Sequence, residues 1–210
     1  SGSKGAAELV FKSYYNSFFN SINSKVRIAA ARAGNVIGGG DWAKDRIIPD
    51  CIRAWSKNKI AEIRSPNATR PWQHVLEPLS GYLALGQALY YNEKLSGESF
   101  NFGPTTKYNY TVENVIKDLS MDWDILDSSL KYKVTENKPF KEAGLLKLNC
   151  DKALFHLKWL PTLNYVELIK LTSRWYFNYY NKKENMFEFT VNQINEYEKI
   201  AINKEIQWSK

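Results

Sequence analysis

Apolar residues recur at three- and four-residue intervals from Lys4 to about Phe19, as Ala6, Ala7, Val10, Phe11, Tyr14 and Phe18. That spacing predicts a helix with one buried stripe. Lys25 to Ala31 (KVRIAAA) is short, apolar and partly alternating, the pattern of a buried strand, and Asn23-Ser24 sets it off from the helix. A glycine-dense loop, AGNVIGGGDW, follows. After Asp45, the residues Ile47, Ile48, Cys51, Ile52 and Trp55 outline a second amphipathic helix, with Pro49 tolerable only in its first turn. KIAEIRS predicts a short strand, RPWQHV an extended segment, LEPLSGYLALGQALYY a long leucine-rich helix, and SFNFGP a strand closed by Gly103-Pro104.

Further on, Thr111 opens TVENVIKDL as an N-cap with Asn114 three positions later, an imperfect capping box. KYKVTE alternates like an exposed strand. Asp151 is the expected cap of DKALFHL, which Trp159-Leu160-Pro161 stops. Tyr165 to Tyr180 and Val191 to Ile206 predict two helices with wide aromatic faces. Helices alternate with short strands along the whole chain, so the predicted class is α/β. No internal repeat or low-complexity tract is visible.

Composition narrows the picture. The 210 residues are 44% hydrophobic and 14% aromatic, enough for a real core and too apolar for a disordered segment. No apolar run has the length of a bilayer span, and the N-terminus carries no hydrophobic signal region. The expectation is a cytoplasmic protein without a membrane partner. Cys51 and Cys150 stand apart from each other and from His74 and His156, so neither a disulfide scaffold nor a metal is expected. The net charge of +7 comes from scattered lysines rather than a basic block, which argues against nucleic acid as a partner.

Three stretches hint at chemistry. In NVIGGGDW three consecutive glycines remove every Cβ from a turn, which suits either a tight turn or close approach to an anionic ligand. It is neither a Walker loop nor a dinucleotide fingerprint. Arg70 in RSPNATRPWQHVLEP, between a strand and a helix, is placed for bidentate phosphate contacts or for a structural role. His74 reads as a packing residue more readily than as a general base, and Trp42, Trp55 and Trp72 as core more readily than as stacking platforms. These residues describe an α/β domain able to hold a phosphorylated ligand; they do not name a reaction.

Taken together, GNVIGGGDWAKDRIIPD, IRSPNATRPWQHVLEPLSGYL and ESFNFGP closely resemble the CDP-glucose 4,6-dehydratases, a family of extended short-chain dehydrogenase/reductases. LLKLNCDKA, WLP and QINEY continue the match in order. The resemblance implies the C-terminal part of a Rossmann-like fold with its smaller substrate-binding lobe. Residues 1–40 would end the NAD-binding domain, 41–210 would form mainly the substrate lobe, and 98–119 would return to the Rossmann domain. It also implies a reaction: bound NAD oxidises C4 of CDP-glucose, water leaves across C5 and C6, and the hydride returns to C6. Oxidation prepares the elimination because a C4 ketone acidifies the C5 proton.

By the same resemblance, Lys4 matches the lysine of Tyr-x-x-x-Lys, which binds the nicotinamide ribose and lowers the pKa of a tyrosine one turn earlier. The backbone at Ala33 would lie by the nicotinamide. Asn35 matches a residue that contacts the substrate near its diphosphate, Arg46 and Ile47 match the stretch lining the nucleotide pocket, and Arg70 matches the arginine that grips the diphosphate. A homodimer through the lysine-bearing helix is implied, with Phe11, Tyr15 and Phe19 as interface residues; intramolecular core is their other reading. KPFKEAG departs from the family's Pro-His-Glu-Ala run. The family's upstream glycine loop, its serine or threonine, its acidic pair and its tyrosine are not found here. Ser1-Gly2-Ser3 thus reads as the variable positions before the lysine rather than a cloning scar, and the chain alone is expected to be inactive. A non-catalytic sugar-nucleotide binding module, a relic that pairs with an intact homologue, and another nucleotide-sugar dehydratase or epimerase are the competing readings.

Overall fold

The computed structural model describes residues 2–21, 24–105, 109–123, 131–135, 147–182 and 184–210. Its elements run α1 (Gly2–Tyr14), β1 (Ala30–Ala33), β2 (Asn35–Ile37), α2 (Ile47–Trp55), β3 (Ala61–Ile63), β4 (Trp72–His74) and α3 (Leu76–Tyr91). They continue with β5 (Ser99–Phe102), α4 (Val112–Leu119), β6 (Tyr132–Val134), α5 (Asp151–Leu157), α6 (Tyr165–Phe177) and α7 (Met186–Asn203). The strands form three parallel pairs, β1 with β5, β2 with β4 and β3 with β6. Each pair is joined by a crossover that contains a helix, as parallel pairing requires. The α/β expectation holds, and so does the capping box: the Thr111 hydroxyl accepts from Asn114 N–H while the Asn114 side chain accepts from Thr111 N–H.

Four predicted elements are corrected. The first helix ends at Tyr14 and continues as a π-turn over Tyr15–Phe19, and α1 has no buried residue. Its apolar stripe divides: Phe11, Tyr15 and Phe19 are half-buried against the chain, whereas Val10, Tyr14 and Phe18 stay 57%, 57% and 65% exposed. The strand predicted over 25–31 is instead Ala30–Ala33, and Ala31 and Arg32 face outward. Before Ala30 the backbone makes isolated bonds, such as Gly97 N–H to Ile28 O, without entering the ladder. DKALFHL is started by Asn149, whose Oδ1 accepts from Asp151 N–H, and it ends at Lys158 in the left-handed region before Trp159 is reached. The last helix begins at Met186 because Asn185 caps the amides of Phe187 and Glu188, and it stops at Asn203.

Two cores hold these elements. The larger joins Ile48, Cys51, Ile52 and Trp55 of α2 to Ala61 and Ile63 of β3, to Val115, Ile116 and Leu119 of α4, and to α6 through Leu168, Ile169 and Tyr176. The smaller gathers Leu85 of α3, Phe100 and Phe102 of β5, Ala153 of α5, and Trp159. Gly81 of α3 exists where any Cβ would overlap the Phe102 ring, so helix and strand meet there at the closest approach.

Glu77, 1% exposed in the first turn of α3, connects the two. Its carboxylate accepts from Thr162 N–H at 3.0 and 2.9 Å, from Leu163 N–H at 2.6 Å and from the Tyr197 hydroxyl at 3.1 Å. Trp159 Nε1–H donates to Ser80 Oγ, which also lies 3.1 Å from the Tyr197 hydroxyl, and Lys204 Nζ donates to Thr162 O. The connector before α6 and the body of α7 are thereby fixed to α3.

Burial pushes the Glu77 carboxyl up to about 7, against the pull of its donors. The folded chain therefore favours the protonated acid more than the unfolded chain does. That contribution is complete below the ordinary value of 4.5 and is lost as pH rises through about 7. Glu77→Gln cannot titrate and turns N–H groups toward the Thr162 and Leu163 amides. It is expected to lower stability by about 1–3 kcal/mol. The stability difference between wild type and variant, from chemical denaturation, should shrink across that pH window; a difference independent of pH would refute this role.

Candidate functional site

A cavity of about 1000 Å³ opens where the C-terminal ends of β1 and β2, the first turn of α2, strand β3 and the approach to β4 meet. Every site residue singled out in the sequence lines it: Lys4, Ala33, Asn35, Arg46, Ile47 and Arg70. They come from four separate stretches, and parallel pairing brings them together. The β2–β4 register sets Asn35 opposite Trp72, two residues from Arg70. Strand ends that open on a crevice are the usual ligand-binding location in open α/β sheets.

The wall is charged with both signs. Arg46 pairs with Asp41 at 3.2 Å, Arg64 with Asp45 at 3.6 Å, and Asp50 with Arg53. Arg46 is the N-cap of α2, and Arg46, Ile47, Ile48 and Pro49 all line the cavity. The first-turn amides of a helix have no intrahelical partner and carry the positive end of its dipole, so this wall favours an anion. Pro49 sits in that turn, where it costs no hydrogen bond. Arg70 is half-buried and donates to Thr69 O at 2.9 Å. The arrangement suits an elongated ligand with a negative centre.

The glycines of the loop turn out to serve the protein as much as a ligand. Of the three, Gly38 lines the cavity, and a Cβ there would stand 2.9 Å from Val75 Cγ1. A Cβ on Gly39 would overlap the Trp175 indole, and Gly40 holds φ at +78°. The loop is pressed against α6 and the π-turn Asn178–Lys182 that follows it, where Trp42 meets the rings of Trp175, Tyr176, Tyr179 and Tyr180, and the Tyr176 hydroxyl donates to Asp41 O at 2.9 Å. Gly34 makes room for Pro71, whose Cγ would be 2.8 Å from an added Cβ.

His74 is a packing residue. It is buried, its Nδ1 accepts from Leu76 N–H at 3.3 Å, and burial pushes it down to about 4, so it stays neutral. Trp55 and Trp72 are core, each tied by its indole N–H to a carbonyl, of Lys131 and Tyr110 respectively. Cys51 is buried and Cys150 half-buried, both as free thiols. Among the described residues no cluster of three or more His, Cys, Asp or Glu is arranged to hold a metal ion, and no helix is long and apolar enough to cross a membrane. KPFKEAG and Ser1 lie outside the described residues. The cavity also contains Asp41, Asp45, Glu62, Arg64 and Tyr176, which sequence reasoning did not name. The alternation of AEI between two buried positions was the available signal for Glu62.

No protein-family model matches the chain. It is 42% identical over 200 residues to the CDP-glucose 4,6-dehydratase of Salmonella typhimurium, which takes in 94% of this chain and 55% of that protein. The chain thus spans about half the length of its curated relative. Among solved structures, the UDP-glucuronic acid 4-epimerase of Bacillus cereus, in complex with UDP-glucuronic acid and NAD, superposes with a TM-score of 0.66 at 18% identity, covering 83% of this chain and 51% of that one. The dTDP-glucose 4,6-dehydratase of Bacillus anthracis, in complex with NAD, gives 0.64 at 15% identity, covering 87% and 52%. The fold is that of the extended short-chain dehydrogenase/reductases.

The tight loop yields a prediction. Gly39→Ala sets a methyl against Trp175 and should cost about 1–3 kcal/mol. Gly86→Ala, within α3, meets nothing within 4 Å and should instead stabilise by about 0.5–1 kcal/mol. Thermal unfolding midpoints that move the same way in both variants would contradict this account of the loop.

Proposed function

Starting from a chain that is homologous over nearly its whole length to CDP-glucose 4,6-dehydratase and is built on the extended short-chain dehydrogenase/reductase fold, we propose that the polypeptide carrying it is an NAD-dependent sugar-nucleotide 4,6-dehydratase acting on CDP-glucose. The observation that supports this reading best is the convergence of Lys4, Ala33, Asn35, Arg46, Ile47 and Arg70 on one cavity.

The residues fit a division of labour along that cavity. Lys4 and Ala33, a cation and a small side chain beside open space, suit the nicotinamide end of NAD. Bound NAD supplies the acceptor and donor of hydride. Lys4 binds the ribose hydroxyls and keeps positive charge where a proton must leave a sugar hydroxyl, which favours the deprotonated form. Asn35, held in β2, offers an amide to the sugar side of the diphosphate. Arg70, Arg46 and the open amides of α2 take the diphosphate itself. Together they orient the glucose unit toward the Lys4 end.

We further propose that a second copy covers the exposed Val10, Tyr14 and Phe18 face of α1 in a homodimer, with Phe11, Tyr15 and Phe19 packing inside each subunit. A cytoplasmic location belongs to the same reading.

The test is turnover of CDP-glucose by the polypeptide that carries this chain, with NAD added, followed by absorbance of the 4-keto sugar in alkali. Lys4→Met is expected to lower kcat by about a hundredfold or more. Arg70→Met is expected to raise KM by about tenfold or more with kcat nearly unchanged, because its contact is equally strong in ground and transition states. Failure to convert any nucleotide-linked glucose would sink the proposal.

A further inference from the structure

Building on the dehydratase reading, we infer that Glu62 sets the choice of nucleobase by accepting a hydrogen bond from the exocyclic amine of cytosine. β3 has three residues; Ala61 and Ile63 are buried in the larger core, and the alternation of the strand turns Glu62 out to the cavity wall. The register of β3 with β6 sets Lys133 directly beside it, and Lys133 Nζ reaches Glu62 Oε1 at 2.9 Å. A strand anchored on its other face by two core side chains presents this pair at a fixed height.

The chemistry of the pair is selective. A carboxylate only accepts hydrogen bonds and an ammonium only donates them. Cytosine offers an amine donor at N4, which the Glu62 carboxylate on the cavity wall can accept. Uracil and thymine offer a carbonyl where cytosine has the amine, and an N–H where cytosine has an acceptor. Against Glu62 the carbonyl would be mismatched, which penalises the wrong base as well as favouring the right one.

The location follows from the shape of the ligand. With the sugar directed to Lys4 and Asn35 and the diphosphate at Arg46 and Arg70, the nucleoside extends to the wall formed by Glu62 of β3 with Arg64 and Ser65 just after it. The other carboxylates of the wall are each engaged by an arginine, Asp41 by Arg46, Asp45 by Arg64 and Asp50 by Arg53. Glu62 alone among these four is paired with a lysine, whose compact ammonium leaves more of the carboxylate edge approachable than a guanidinium fork does.

Isothermal titration of the polypeptide that carries this chain with CDP, UDP and dTDP decides the matter. Wild type is expected to bind CDP at least about tenfold more tightly than UDP or dTDP. Glu62→Ala should reduce that ratio to within about threefold, mainly by weakening CDP, and Glu62→Gln, which presents both a donor and an acceptor, should also lose the preference. An unchanged preference for CDP in Glu62→Ala would overturn the inference while leaving the dehydratase reading in place, and so would a wild type that binds all three alike. A wild type that binds none of the three would overturn the dehydratase reading and this inference with it.

Discussion

A buried carboxylate is the constraint on which the arrangement of the helices depends. Glu77 receives two backbone amides of the connector before α6 and the hydroxyl of a tyrosine in α7. An acid in an apolar interior is costly unless its oxygens are fully occupied, so each of those partners is held in one place. Because Glu77 opens the helix that follows β4 directly, the same network fixes the C-terminal helices relative to the strand that carries Trp72. The C-terminal helices are therefore tied to the strand that borders the cavity at Trp72.

The cavity itself is shaped by aromatic packing. Gly39 and Gly40 let the loop after β2 lie flat on Trp175, and Trp42 then sits among four rings of α6 and the π-turn after it. The position of Asp41, and through it Arg46, is inherited from that contact. The arginine at the cavity wall is thus placed by aromatic packing on its far side.

Much of this was legible in the sequence, and the failures have a common cause. Long periodic helices such as Leu76–Tyr91, the strand Ser99–Phe102 and the Thr111 cap were readable because their signals are local. The strand at Lys25–Ala31 was displaced because pairing with β5 decides its limits, and the caps at Asn149 and Asn185 were passed over because a lone asparagine is a weak signal. Arg70 and Asn35, which line the cavity, were marked by distinctive strings. Glu62, Asp45 and Tyr176 did not, since only crossover connections bring them to the same wall. The glycine run left tight turn and ligand cradle both open, because an absent Cβ reads the same whether an indole or an anion takes its place.

One end of the cavity is much less firmly held than the other. Glu62 rises from a strand whose neighbours are core residues, and the α2 turn is anchored by Ile48 and Ile52. Lys4 instead stands on α1, which has no buried residue. That helix is attached by the paired contacts of Arg32 with Glu8 at 2.6 and 2.7 Å, and by Tyr15 lying over Gly97. An exposed ion pair is worth about 1 kcal/mol or less, too little to fix a lysine to the tolerance that proton chemistry needs. In the proposed homodimer, the surface that covers Val10, Tyr14 and Phe18 would therefore also set the position of Lys4. In the proposed enzyme, assembly would thus be coupled to catalysis through α1, while the walls proposed to hold the nucleotide belong to the better-packed remainder of the chain.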